Sequence, residues 1–376
     1  MKRLTIGMAA PGLLAIALLV DICSRFASYD YVSFRGFEAL TRNGGTGLGG
    51  PFLRNATYKT TRAYGDLAAM GNLPQLRQYR PEVMTTDEWG FRNAPGAASA
   101  ELGAILFGTS FSIGAGLNDD QTLSAKIAAY IGAPVYNAGG LDLGQERNLS
   151  RTIGRLHFRR RIAIVEHVET APEPAWASDV GFAMRLEDHF GARYRDVRLG
   201  YSEVKGWLNK SPLNLALFKM FKSIQDDVIL PNAFSDRVLQ GELANGDQML
   251  FLPSQVSPGR GPTAVADAVV SWRRLDHYFR ARGFDLLVVL IPSQYRVYAP
   301  LLKTPPPKLN DDTYVDDLES GLRAAGIEVV NPTRSLMAAA RDGLPSHRYI
   351  YWRDDTHWTA AGVEITAREI ANRLSR

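Results

Sequence analysis

The sequence predicts an α/β fold in which helices cover both faces of a parallel sheet. Five short apolar segments are typical of strands buried on both sides, because a half-exposed strand would alternate apolar and polar residues. Helical stretches separate or follow these segments, and such alternation is typical of β-α-β units. The predicted strands are 104–107, 134–136, 162–165, 286–291 and 327–330, and the predicted helices are 121–131, 263–282, 312–325 and 359–374.

The composition excludes several classes of protein. Of 376 residues, 45% are hydrophobic and 22% are charged, as in ordinary globular proteins. The single cysteine excludes a disulfide framework and a cysteine-based zinc cluster. The net charge of +4 comes without a basic stripe interleaved with aromatics, so we expect no nucleic-acid partner. The one dense basic run, residues 159–161, suits either a solvated helix end or a contact to an anionic polymer such as a polyuronate.

The N-terminus predicts a membrane anchor. Lys2 and Arg3 precede residues 4–20, which carry no charge and are just long enough for a bilayer-spanning helix. A cleaved signal peptide would need small residues after this segment, and Ile22 before the cysteine does not suit lipoprotein processing. We therefore expect residues 1–24 to be an uncleaved inner-membrane anchor, with a cleaved periplasmic form as the alternative. The basic end stays in the cytoplasm, which places the remainder in the bacterial periplasm.

The remainder of the chain reads as one large domain with two additions. Residues 25–100 are polar and rich in glycine and form a lead-in segment. Residues 101–376 carry the α/β pattern. Residues 175–262 interrupt that pattern, and we interpret them as a partly helical insertion close to the site.

A candidate nucleophile follows the first predicted strand. The strand runs into Gly108, Thr109 and Ser110, and the next residues open a helix. In a parallel sheet the crevice at the carboxyl ends of the strands binds the ligand. A serine there can reach the substrate, and amides at the helix start can stabilise an oxyanion. The alternative is that Ser110 is only a helix cap or turn residue.

The candidate base is His357, in the run from Tyr351 to Thr359. In an extended backbone residues two apart point to one side, so Asp355 can orient the ring and leave the other nitrogen to deprotonate Ser110. Asp354 is an alternative acid, acting through a turn.

His167 is the second candidate histidine, at a strand end with Glu166 and Glu169 around it. A metal site formed by these groups has no histidine pair at ligand spacing to support it. We therefore expect neither a metal nor a cofactor.

Several sequence blocks occur in the order of a known family. The sequence resembles the SGNH (GDSL-type) hydrolase superfamily, and within it the SGNH-like domain of alginate O-acetyltransferase and related polysaccharide acetylation proteins. The resemblance covers roughly residues 85–170 and 284–376. Its blocks are 86–93 (TDEWGFRN), 108–112 (GTSFS), 118–122 (NDDQT), 135–140 (VYNAGG), 291–298 (IPSQYRVY) and 355–358 (DTHW).

The sequence also departs from that family. Thr109 stands in place of the usual Asp, a replacement typical of the acetyltransferase branch. No Asn follows the third strand, where these enzymes usually place an oxyanion donor. Gln294 replaces a frequent Lys.

The resemblance implies a mechanism and partners. Ser110 would carry an acetyl group, with His357 as base, Asp355 as its partner, and the amides of Ser110 and Gly139 or Gly140 as oxyanion donors. The acceptor would be an exopolysaccharide, and a membrane-bound O-acyltransferase would hand over acetyl groups. An acetyl esterase and a non-catalytic polysaccharide-binding scaffold are the alternatives. Candidate substrate-binding residues, each of which could instead belong to the core, are Trp89, Tyr295, Arg296, Tyr298, Trp352 and Trp358.

Overall fold

A computed structural model describes residues 2–24, 35–41, 49–174, 201, 204, 211–256, 262–304 and 313–375, with side chains from residue 11 onward except at 147, 212, 214, 215, 262 and 263. The strands are β1 (Thr57–Ala63), β2 (Arg80–Thr85), β3 (Glu101–Leu102), β4 (Ala104–Phe107), β5 (Val135–Asn137), β6 (His157–Phe158), β7 (Ile162–Val168), β8 (Leu239–Glu242), β9 (Gln248–Phe251), β10 (Asp285–Ile291) and β11 (Glu328–Val330). The helices are α1 (Lys2–Ser24), α2 (Gly36–Leu40), α3 (Asp66–Met70), α4 (Ser110–Ile113), α5 (Leu123–Ile131), α6 (Glu146–Gly154), α7 (Pro212–Ile224), α8 (Pro262–Arg280), α9 (Gln294–Tyr298), α10 (Tyr314–Ala324), α11 (Thr333–Gly343) and α12 (Ala360–Leu374).

The central sheet is parallel, as predicted, and its order is β11-β10-β7-β4-β5. All five predicted strands are present, and each of the four predicted helices has a counterpart in α5, α8, α10 and α12. The middle strand β7 is buried along its whole length. Since β4 and β7 are neighbours, their carboxyl ends lie side by side at one edge of the sheet.

Apolar clusters cover both faces of the sheet. Side chains alternate along a strand, so Ile105 and Phe107 enter one cluster while Leu106 enters the other. The first cluster includes side chains from α8 and α10, and the second includes side chains from α5 and α12. Burial of this kind supplies most of the free energy that holds helices on a sheet.

The lead-in packs directly against the α/β domain. Strands β1 and β2 form an antiparallel pair. Arg92, which is 4% exposed, donates hydrogen bonds to the backbone oxygens of Ile113, Gly114 and Leu117 at 2.6–3.1 Å. It also donates to Val83 O at 2.9 Å. Arg92 therefore joins the lead-in to the loop that follows the candidate nucleophile.

The described part of the predicted insertion contains α7 and the antiparallel pair β8-β9. Leu250 and Phe251 of β9 are buried, and Leu250 N donates to Arg353 O at 2.9 Å. Most of residues 175–210 lies outside the described residues.

The predicted anchor corresponds to α1, whose first side chains lie outside the described set. Within the described residues, no helix has both the length and the apolar character needed to cross a membrane.

Candidate active site

The candidate nucleophile sits on a tight turn at the end of β4. Gly108 has a φ of 154°, and a Cβ added there would lie 2.2 Å from Glu166 Oε2, so only glycine fits. Thr109 precedes α4 and its hydroxyl accepts a hydrogen bond from Phe111 N at 3.5 Å. Ser110, the first residue of α4, is half-buried and its hydroxyl faces the loop that carries His357.

Glu166, in the neighbouring strand β7, stabilises this turn. The carboxylate lies in the middle strand, 3% exposed, and accepts hydrogen bonds from four donor groups. Thr109 donates from its N–H at 2.7 Å and from its hydroxyl at 3.1 Å. Ser112 donates from its N–H at 3.2 Å and from its hydroxyl at 2.9 Å. Burial raises the pKa of Glu166, and the hydrogen bonds from Thr109 and Ser112 oppose that rise.

Ser110, His357 and Asp355 form a continuous hydrogen-bonded chain. His357 Nε2 lies 2.6 Å from Ser110 Oγ, and His357 Nδ1 lies 2.6 Å from Asp355 Oδ1. His357 is 3% exposed and Asp355 is fully buried. With Nδ1 donating to the carboxylate, Nε2 is left to accept the proton of the serine hydroxyl.

The loop around His357 differs from the extended backbone that the sequence argument assumed. An isolated bridge joins Tyr351 to Trp358, and Trp352 N donates to His357 O at 3.0 Å. The intervening residues form a turn, and His357 N donates to Asp355 Oδ1 at 3.0 Å. The turn and this side-chain hydrogen bond, and not strand alternation, therefore place the acid against the ring.

Asp354, the alternative acid, does not face His357. Its Oδ2 accepts hydrogen bonds from Gly65 N at 2.7 Å and Gln78 N at 2.8 Å, and its Oδ1 pairs with Arg80. A Cβ added at Gly65 would lie 1.9 Å from Asp354 O, so the lead-in backbone approaches closely. Asp354 is therefore a structural link between the lead-in and the catalytic loop.

Arg80 bridges the two adjacent carboxylates. One guanidinium nitrogen lies 2.8 Å from Asp354 Oδ1 and the other lies 2.8 Å from Asp355 Oδ2. Trp352 stacks on the guanidinium at 4.3 Å. Burial would raise the pKa of Asp355, but the charge and hydrogen bond of His357, together with Arg80, hold it far below its usual range. Asp355 is therefore ionised whenever the site is intact.

A second carboxylate, Asp66, lies behind the histidine. Its Oδ2 is 4.0 Å from His357 Nδ1 and accepts a hydrogen bond from the Thr356 hydroxyl at 2.8 Å. Arg35 donates to the same oxygen at 3.3 Å. Burial and the negative charge of Asp355 raise the pKa of Asp66 to about 6.

Both predicted glycine oxyanion donors are engaged elsewhere. Gly139 N donates to Asn137 Oδ1 at 2.9 Å, and Gly140 N donates to Gly108 O at 2.8 Å. Neither amide is a free donor in this structure, which corrects that part of the sequence interpretation. Within the described residues, the Ser110 N–H at the start of α4 has no hydrogen-bond acceptor.

The six candidate substrate-binding residues separate into core and surface positions. Tyr298 and Trp358 are 0% exposed, so neither can form a sugar platform. Arg296 is paired with Glu169, its Nε donating to Oε1 at 2.7 Å.

The other three are partly exposed. Tyr295 packs edge-on against Phe251, and Trp89 stacks on Arg155. Trp352 contacts Arg80, which pairs with the candidate acid Asp355.

His167, the other candidate histidine, does not join the chain of hydrogen bonds at Ser110. It is 4% exposed on β7, with Nε2 3.2 Å from Glu173 and its ring edge-on to Trp272. A buried pairing of this kind is structural.

One group of the described residues has a composition suited to a metal ion: Asp66, Asp355 and His357, whose ligand atoms lie within 4.8 Å of one another. Arg35 and Arg80 contact these same carboxylates at 3.3 and 2.8 Å. Two guanidinium groups already neutralise the acids, and their positive charge opposes a cation. The geometry suits proton transfer better than metal binding.

Three supporting residues were not assigned a role from the sequence. Glu166 carries a signal, because a charged residue inside an otherwise apolar strand needs a buried partner. Asp66 and Arg80 carry none, since each lies more than 270 positions from the residues of the His357 loop that it contacts.

Comparison with known proteins supports the resemblance predicted from the sequence. Residues 246–376 match the model of the SGNH hydrolase-like domain of acetyltransferase AlgX. The predicted family resemblance is confirmed. The matched residues include Asp355 and His357 but not Ser110, so the nucleophile rests on the geometry.

Three relatives described as probable alginate O-acetylase AlgJ are each 26% identical. The match to the Pseudomonas putida protein spans 52% of this chain and 43% of the relative. Those to the Pseudomonas aeruginosa and Pseudomonas fluorescens proteins span 35% and 26% of this chain, and 32% and 23% of the relatives. The chain therefore matches less than half the length of these relatives. A solved crystal structure aligns over 74% of this chain and 98% of its own, at 15% identity and a TM-score of 0.34.

Replacing Glu166 tests the support beneath the nucleophile. Glu166→Ala removes the acceptor for four buried donors, so we expect the free energy of unfolding to fall by roughly 3 kcal/mol. Glu166→Gln keeps one acceptor oxygen and should lose less. Chemical denaturation measures both, with Glu242→Ala as the control, because its exposed ion pair with Lys303 contributes little. Equal losses for Glu166→Ala and Glu242→Ala would contradict the proposed support.

Asp66 makes stability depend on pH in a direction that can be checked. The folded pKa of about 6 exceeds the ordinary aspartate pKa of 3.8, so the folded state loses stability as pH rises between these values. Asp66→Asn lacks this loss. The difference in free energy of unfolding, Asp66→Asn minus wild type, should therefore increase from pH 4 to pH 6 and then level off. Asp316→Asn, on an exposed face of α10, is the control, and a difference independent of pH would contradict the assignment.

Proposed function

We propose that this chain is an O-acetyltransferase that acetylates a bacterial exopolysaccharide through an acetyl-Ser110 intermediate. The observation that carries the proposal is the hydrogen-bonded chain from Ser110 Oγ through His357 to Asp355, with 2.6 Å at each step. The AlgJ relatives are described as probable alginate O-acetylases, which supports a polysaccharide acceptor.

The first half-reaction forms the acyl-enzyme. Ser110 Oγ attacks the acetyl carbonyl carbon of the donor while His357 Nε2 takes the hydroxyl proton. The oxyanion that forms is stabilised by the Ser110 N–H at the start of α4. The carbon–oxygen bond to the donor then breaks, and His357 returns the proton to the departing group. Asp355, kept ionised by Arg80, stabilises the transient imidazolium.

The second half-reaction repeats these steps with the sugar. A sugar hydroxyl replaces the departed group, and His357 Nε2 takes its proton as the oxygen attacks the acetyl carbon. The ester bond to Ser110 Oγ breaks, and the proton returns to the serine. Water in place of the sugar would release acetate, which is the esterase reaction. The choice of acceptor therefore distinguishes the two activities.

A membrane location would give the chain access to a membrane-borne source of acetyl groups. We propose that α1 anchors the chain in the inner membrane, that the catalytic domain lies in the periplasm, and that a membrane-bound O-acyltransferase supplies the donor. Its support is the uncharged segment 4–20 behind Lys2 and Arg3.

Removing the members of the triad tests the chemistry. With an activated acetyl ester and an oligosaccharide acceptor, Ser110→Ala, His357→Ala and Asp355→Asn should each lower kcat by about 10³-fold or more, since the three groups act as a unit. Mass spectrometry of full-length protein should find acetyl on wild-type Ser110.

Ser320→Ala, an exposed serine of α10, is the matched control and should leave the rate unchanged. Acetate release that does not change when acceptor is added would favour the esterase. Turnover that survives Ser110→Ala would refute both enzymatic assignments.

The anchor has a direct biochemical check. Membranes from cells expressing the full chain are washed with alkaline carbonate, which removes peripheral proteins and leaves spanning ones. We expect the chain in the pellet. Replacing Leu14 and Leu18 with Arg should move the chain to the supernatant or leave it uninserted in the cytoplasm, because charges at the centre of a spanning helix are costly. A wild-type chain that washes off would refute the anchor.

A further inference from the structure

The helix α7 carries apolar side chains that nothing in the described structure covers. Leu217, Phe218, Met220, Phe221 and Ile224 are each 45–64% exposed. Val228 and Ile229, in the π-helical turn that follows, are 73% and 67% exposed. Soluble proteins rarely expose so many large apolar residues together, and such patches mark interaction sites.

Four of these five apolar residues of α7 share one face, while Phe218 lines a cleft on the side of the lysines. At about 100° per residue, Leu217, Met220, Phe221 and Ile224 fall within an arc of about 100°. Lys219 and Lys222 lie on the opposite side. This pattern is typical of helices that lie in the plane of a membrane interface, with lysines above and apolar side chains below.

The polar side of α7 faces the rest of the protein. Lys219, Lys222 and Ser223 line a cleft together with Arg62 and Tyr79 of the lead-in. Since the polar side is turned toward the domain, the face with Leu217 and Phe221 points away from it.

Contacts with α1 indicate what covers the apolar face. The two helices touch, and the Ser211 hydroxyl, just before α7, donates to the Asp21 carboxylate near the end of α1. The described side chains of α1 are also exposed, with Leu13, Leu18 and Val20 at 68%, 55% and 49%. The exposed apolar surfaces of α1 and α7 are thus adjoining.

The end of α7 is fixed to the lead-in. Asn72 Nδ2 donates to the backbone oxygens of Asp226, at 3.2 Å, and of Leu230. Arg77 pairs with Asp227 at 2.7 Å. The next residue, Gln78, donates its N–H to Asp354 at the site. The orientation of α7 is therefore coupled to the catalytic loop.

We propose that α7 and residues 225–230 insert their apolar side chains into the periplasmic leaflet of the inner membrane beside the anchor. A lipid surface fits better than a second copy or a protein partner, because a single apolar surface covers the adjoining faces of both helices. The proposal depends on the membrane location given above but not on the chemistry at Ser110. It would hold the active site at a set distance from a membrane-borne acetyl donor.

Site-directed fluorescence tests the insertion in the full-length chain. The only cysteine is removed by Cys23→Ser, and a nitrobenzoxadiazole label is attached at Phe221→Cys or Ile224→Cys. Matched controls carry the label at Ser223→Cys, on the polar side of the same helix, and at Ser320→Cys on α10. The protein is reconstituted into vesicles of phosphatidylethanolamine and phosphatidylglycerol, with or without acyl chains brominated near the headgroup.

We expect the labels at positions 221 and 224 to shift to shorter wavelength and to lose roughly half of their emission with brominated lipid, while both controls change little. Emission at position 221 that matches the Ser320→Cys control would overturn the proposal. A wavelength shift without quenching by bromine would mean that protein covers this face, and would overturn it as well. A chain that does not float with the vesicles would refute both the anchor and the insertion.

Acetyl transfer separates this proposal from the proposed function. Phe221→Asp should weaken quenching at a label on Ile224→Cys, yet leave Ser110-dependent transfer from a soluble ester unchanged. Loss of transfer with intact quenching in Ser110→Ala would show that the two proposals stand independently.

Discussion

The bridge from Arg80 to Asp354 and Asp355 is the interaction on which the catalytic geometry depends. Two adjacent carboxylates buried together repel each other and lose hydration, so both remain ionised only when a cation is placed between them. A guanidinium can meet both at once, because its donors form a planar fork. Asp355 can then orient His357, while Asp354 receives the lead-in backbone at Gly65.

This bridge joins the lead-in to the candidate active site. Arg80 begins β2, Asp66 begins α3, and both reach the catalytic loop near the end of the chain. The histidine therefore acquires its position only after segments far apart in sequence have packed. Ser110 is supported from the other direction, by Glu166 in the middle of the sheet. Nucleophile and base each rest on a buried carboxylate with its own set of donors, which is how a proton relay keeps its geometry.

The same lead-in connects chemistry to location. Residues 72–80 contact the end of α7 through Asn72 and Arg77, and the adjacent carboxylates Asp354 and Asp355 through Gln78 and Arg80. If α7 lies in the membrane surface, its attachment at this point can set the distance between that surface and the active site without contact to the substrate. This arrangement would suit an enzyme that takes its donor from a membrane and its acceptor from the surrounding polymer.

Local patterns in the sequence were enough to predict the central strands, the helices beside them, and Ser110 and His357 as candidate nucleophile and base. Buried strands, amphipathic helices and a serine at a strand end are all properties of neighbouring residues, so periodicity and spacing reveal them. Tertiary structure decided what depends on distant contacts: the burial of Tyr298 and Trp358, the engagement of the Gly139 and Gly140 amides, and the choice of Asp355 over Asp354. Tertiary structure also decided the roles of Arg80 and Asp66, because the position of a buried charge depends on the partner that neutralises it. For both residues that partner lies elsewhere in the chain.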